Sequence, residues 1–268
     1  MKNLYLVGTV HIDIEGPRRL EGILRDISPD TLALESHKDR ENLVSLRKSP
    51  EEEEREIDQI LNETGLTLTP KQKSIALESG RILNSFMGYE SRTCNKYVQD
   101  NPKTKLEYID LSVFKNGRQE FIDGYTAATR GLFEEMVKTP ELKEPFLELL
   151  NRGKDEFIQA SQEGFNEMYK NAEMMEELIE LLRDPKTFDM YIKKLPTNAV
   201  QALKQIYNPK RDESMANRIN QLYNNGSHKL VAVVGLLHMP GLKSRLLDLE
   251  PITMTLADYD KNQSSIYD

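Results

Sequence analysis

Cysteine occurs once in these 268 residues, as Cys94, and tryptophan not at all. A lone thiol cannot close an internal disulfide, so a disulfide scaffold is excluded and the expectation is a cytoplasmic protein. Long apolar runs are missing as well. The longest, Leu230–Leu237, falls far short of the roughly 20 residues a membrane-spanning helix needs, even counting its glycine. The opening Leu4-Tyr5-Leu6-Val7 is shorter than the roughly 7–15 apolar residues of a signal-peptide core. Positive charge is in deficit: 36 Lys and Arg stand against 44 Asp and Glu, a formal charge of −8. That argues against a general nucleic-acid binder, whose footprint is basic. Histidine is scarce too, with four in all.

What remains suits an α/β protein with solvated helix faces, 30% charged and 38% hydrophobic. Five stretches read as strands: Asn3–Val7, Thr31–Glu35, Lys105–Asp110, Lys229–Val234 and Ile252–Leu256. The first and fourth are nearly all apolar and β-branched, the pattern of strands covered on both faces. Pro17 opens a helix toward Ile27 whose inner stripe is Leu20, Ile23 and Leu24. Ser49 and Pro50 open another, with the acidic run Glu51–Glu54 read as a solvated face at the positive end of its dipole. From about residue 121 to 222 apolar residues recur at helical spacing, as in Phe146, Leu149, Leu150 and Phe157, then Met174, Met175, Leu178, Ile179 and Leu182. The expected fold is a single α/β domain over 1–268. Its mostly parallel or mixed central sheet is flanked by helices, with a large helical insertion over about 121–222, before the fourth strand.

Two of the four histidines share a setting. Val7-Gly8-Thr9-Val10-His11 and Val234-Gly235-Leu236-Leu237-His238 each place histidine three residues after a glycine that ends an apolar strand. Ligands of open α/β sheets bind at the carboxyl ends of the strands, and glycine lets backbone approach closely there. Glu35 closes a third apolar strand, and a carboxylate there needs a partner or a cleft, since burying one unpaired is costly. Two imidazoles and a carboxylate suit a divalent first-row ion such as Mn, Co or Zn. Of the other candidates, His228 reads as an exposed turn residue and Cys94 as a buried structural one.

The order of these segments resembles the TraB/PrgY family, which groups with the Tiki proteins and the erythromycin-esterase and ChaN-like folds. Four blocks carry the resemblance. They are Gly8-Thr9-Val10-His11; Pro29-Asp30 with Glu35 to Arg40; Gly88-Tyr89-Glu90 with Asp110; and Lys210-Arg211-Asp212-Glu213 with the strand end at Val231–Gly241. The sequence departs from the family pattern at His37, Leu111 and Lys210. By matching position the resemblance implies His11, Glu35, Glu90 and His238 as the core of a metal site, with Arg40 and Arg211 as supporting, substrate-binding cations and Arg211 catalytic as well, as the partner of an oxyanion or carboxylate. It also implies a metal-dependent hydrolase, possibly a peptidase of the Tiki type, in which one glutamate is a ligand and the other a base. The alternative from the same resemblance is a non-catalytic module that sequesters a peptide or a haem. The expected partner is a small peptide or other small molecule, with room for a homo-oligomer.

Overall fold

The computed structural model of the chain describes residues 2–37, 49–111, 123–124, 126–127, 130–131, 133–134, 137–171 and 209–264. Five strands, β1 (Asn3–Thr9), β2 (Thr31–Leu34), β3 (Lys105–Tyr108), β4 (Lys229–Gly235) and β5 (Ile252–Thr255), form one sheet in the order β3-β2-β4-β1-β5. Every pairing is parallel, which decides between the parallel and mixed alternatives. All five expected strands form, with ends shifted by up to two residues.

Alternation along the central strands explains why the sheet is covered on both faces. Val7 of β1, Leu32 and Leu34 of β2, and Val231 and Val233 of β4 enter one core cluster. Leu4, Leu6, Ala33, Leu230, Ala232 and Val234, one step out of phase, enter the other. Helix α1 (Gly16–Ile27) closes the first face with the expected stripe of Leu20, Ile23 and Leu24. It is joined there by α4 (Tyr89–Asp100) and α9 (Leu256–Ser264), which bring in Cys94 and Leu256. Helix α7 (Pro209–Asn224) closes the second face with Met215, Ala216 and Ile219, beside α8 (Met239–Arg245) with Leu242. Each fully buried leucine contributes roughly 1.5–3 kcal/mol. Gly16 is where α1 and α4 meet, because a Cβ there would stand 2.3 Å from the Tyr89 ring.

The remaining helices are α2 (Pro50–Thr64), α3 (Pro70–Phe86), α5 (Pro140–Arg152) and α6 (Lys154–Lys170). Ser49 caps α2 reciprocally with Glu52, and Thr69 caps α3 with Gln72, each pair satisfying two terminal N–H groups. Glu51, Glu52 and Glu54 are exposed, as the solvated-face reading requires. Phe146 and Phe157 pack edge to face at 6.3 Å and join α5 to α6. The described residues between β3 and β4 form helices and no strand. Met174, Met175, Leu178, Ile179, Leu182 and Arg40 lie outside the described residues. Among the described residues, no helix is long and apolar enough to cross a membrane.

Candidate functional site

Strand order brings the three expected residues together. β4 lies between β2 and β1, with Thr9 level with Gly235 and Leu34 level with Val233. The two glycine-histidine turns therefore leave the sheet side by side, and Glu35 follows β2 on the other flank of β4. The Glu35 N–H donates to Val233 O at 2.9 Å, and its Oε2 accepts the Gly235 N–H, so the carboxylate is held against the turn that carries His238.

Glu35 is buried and meets two cations. Arg211, in the first turn of α7, donates from Nη2 to Glu35 Oε1 at 2.8 Å. The same guanidinium grips Asp110, just past β3, from Nε at 3.0 Å and from Nη2 at 2.6 Å. His238 follows in the short helical turn Leu236–His238, and its Nε2 lies 3.2 Å from Glu35 Oε1. Its other nitrogen, Nδ1, lies 2.6 Å from Asp212 Oδ1.

His11 repeats this pattern on the β1 side. Its Nδ1 lies 2.7 Å from Glu90 Oε1, an oxygen that also accepts the Thr9 hydroxyl at 2.9 Å. Glu90 stands in the first turn of α4, entered through Gly88 at φ 72°, a left-handed turn that favours glycine. Glu90 is nearly buried, at 8% side-chain exposure, whereas the His11 side chain is 56% exposed. Gly235 is the floor between His11 and Glu35: a Cβ there would stand 3.0 Å from His11 Nε2 and 3.2 Å from Glu35 Oε2.

The electrostatics favour positive charge around Glu35. Burial disfavours the charged form of His238, but Glu35 and Asp212 outweigh it and raise the ring to about 9. At His11, whose ring is half open to solvent, the protein groups packed around it disfavour the charge, but the charge and hydrogen bond of Glu90 outweigh this and raise the ring from its ordinary value. Burial pushes the Glu35 carboxyl up, yet His238, Arg211 and His11 together hold it well below the usual carboxylate range. Burial pushes the Cys94 thiol up, so it stays a protonated core residue.

Each imidazole thus has Nδ1 against a carboxylate and Nε2 on the Glu35 side. This is how metal-ligating histidines are held, with a carboxylate fixing tautomer and ring orientation. The donor chemistry of His11 Nε2, His238 Nε2 and Glu35 fits a divalent first-row ion. As placed, His238 and Glu35 contact each other, and among the described residues no three His, Cys, Asp or Glu side chains make a ready-formed metal cage.

Of the residues expected from sequence, His11, Glu35, Glu90, Arg211 and His238 converge, and Arg40 lies outside the described residues. Asp212, Asp110 and Thr9 join the site without being expected there from the sequence. Asp110 and Asp212 were legible only as members of blocks shared with a family. His228 is exposed in the turn before β4, where its N–H donates to Asp30.

A family model described as the TraB/PrgY/gumN family matches residues 107–251, more than half of the chain. That span holds Asp110, Arg211, Asp212, Gly235 and His238, while His11, Glu35 and Glu90 precede it. No curated protein and no solved structure matches the chain.

Proposed function

The chain belongs to the TraB/PrgY/gumN family, and from that premise we propose that it is a divalent-metal-dependent hydrolase acting on short peptides. The observation that carries the proposal is the pair of carboxylate-backed imidazoles, Glu90–His11 and Asp212–His238, flanking one buried glutamate. The peptide substrate class comes from the resemblance to the Tiki proteases.

In this reading His11, His238 and Glu35 hold the metal, either Mn, Co or Zn, and Glu90 positions His11 instead of ligating. A bound divalent ion supplies Lewis acidity, polarising a carbonyl and making water more acidic. The Gly235 N–H and the Arg211 guanidinium fix both oxygens of Glu35, so its orientation is set before any ligand arrives. Arg211 is buried and grips both Asp110 and Glu35, and it acts through Glu35 without touching substrate. Glu90 uses Oε1 for both Thr9 and His11, while Oε2 makes no hydrogen bond among the described residues. With Glu35 taken as the ligand, Glu90 is left as the base that the resemblance implies, taking the proton of attacking water and passing it to the leaving group.

The test is hydrolysis of a short-peptide pool, with p-nitrophenyl acetate as an ester control, by the full chain supplied with Mn²⁺, Co²⁺ or Zn²⁺ and then stripped with chelator. Metal-restored peptide cleavage that is lost in Glu90→Gln supports the reading. Peptide binding without cleavage under every metal would replace it with sequestration.

A further inference from the structure

A second buried network lies on the His11 turn, and the hydrolytic reading does not use it. Asp13, two residues past His11, is fully buried. Its carboxylate accepts from Tyr169 Oη at 3.0 Å, Gln162 Nε2 at 2.9 Å, the Glu15 N–H at 2.9 Å and Arg19 Nη1 at 3.3 Å. Tyr169 Oη in turn accepts the Val10 N–H at 2.9 Å, and Gln162 Oε1 accepts the Ile14 N–H at 3.2 Å. Tyr169 and Gln162 both stand on α6, in the helical region between β3 and β4. Backbone groups that leave a strand need partners wherever water is excluded. Here the N–H groups just before His11 and just after Asp13 both find theirs on one helix.

We propose that Tyr169 is a positioning residue for His11, clamping the Val10–Ile14 turn so that the ring stays on Glu90 and over Gly235. The inference deepens the hydrolytic reading and rests on it for the role of His11. A hydroxyl at this place is needed twice, once as acceptor from Val10 and once as donor to Asp13. Phenylalanine fills the same volume and does neither. Burial and the neighbouring Asp13 carboxylate push the phenol up, so it keeps the proton it donates. The helical region then does more than cover the sheet: α6 frames one wall of the site.

The test uses the metal-free full chain with nitrogen-15 labelling, reading the four histidine rings through their long-range proton–nitrogen correlations. In Tyr169→Phe the His11 ring signals are expected to leave the single-tautomer pattern while His228 stays in place. Mn²⁺ affinity, measured separately, should fall roughly ten-fold, the scale of losing an outer-shell support. Gln162→Ala, at a half-buried position, should move the His11 signals the same way by less, and it decides the matter if Tyr169→Phe does not fold. A folded variant that loses stability with an unmoved His11 spectrum would overturn the clamp, because packing alone gives that result. The ring spectra need neither metal nor turnover, so failure of the hydrolytic reading and failure of the clamp are seen separately.

Discussion

Asp212 Oδ1 stands 2.6 Å from His238 Nδ1, and it does for that ring what Glu90 does for His11 from another helix and another flank of β4. Two acids far apart in sequence thus orient the two rings toward one glutamate. Asp212→Asn and Glu90→Gln should each lower metal affinity by roughly 10–100-fold, measured by calorimetric titration of Mn²⁺ into the stripped chain. Unchanged affinity in both variants would mean that the outer carboxylates do not hold the rings for a metal.

Gly235→Ala separates site geometry from fold. The backbone there, φ −59° and ψ 142°, is open to any residue, so the substitution strains no turn. The added methyl meets His11 Nε2 at 3.0 Å and Glu35 Oε2 at 3.2 Å. Circular dichroism and thermal midpoint should stay near wild type while metal affinity and turnover fall together. A variant that binds metal normally would show that His11 and Glu35 do not meet a ligand over this glycine.

Arg211 is a stability prediction. Arg211→Met leaves Glu35 without one cation and Asp110 without its two-pronged donor in a buried setting. Removing one partner of a buried ion pair costs about 3–5 kcal/mol, readable by urea denaturation. A loss within error of zero would mean that water or another group already compensates both carboxylates.

These residues also show what was legible before the structure. The strands were, because runs such as Leu230–Val234 are apolar at every position and fit only a sheet covered on both sides. His11, His238 and Glu35 were legible as strand-end residues, since polar groups closing apolar runs must lie at an edge. Their adjacency is expected from the shared strand-end setting, but the way it arises, with β4 inserted between β2 and β1, is a topological fact that no local pattern encodes. Asp212 is legible in the sequence only as a member of a family block, and its place beside His238 comes from the way α7 packs. Tyr169 and Asp13, 156 positions apart, had no sequence signal at all. Glu90 was legible only through a family block, and its hydrogen bond to Nδ1 of His11 explains why a positioning acid and a ligand look alike in sequence.

Asp258 yields a pH prediction away from the site. Its Oδ2 accepts the Thr255 N–H at 2.7 Å and the Thr255 hydroxyl at 3.0 Å, capping α9. Partial burial works against its charge, but Lys261 and the Thr255 donors outweigh it and hold the carboxyl below its ordinary value. A depressed acid stabilises the fold above its unfolded value, near 3.9, and loses that contribution as pH falls through the lower folded value. Asp258→Ala should therefore cost about 1 kcal/mol at neutral pH, and the gap to wild type should narrow as pH drops below about 4. A gap that is constant with pH would mean the carboxylate charge plays no part in the cap.

The most direct measurement of the central claim is the metal content of the purified full chain beside His11→Ala and His238→Ala, by inductively coupled plasma mass spectrometry after equilibration with Mn²⁺, Co²⁺ and Zn²⁺. One tightly held ion per wild-type chain is expected, and its loss from both variants, with both still folded. Full ligand binding and turnover in a metal-free wild-type chain and in both variants would contradict it.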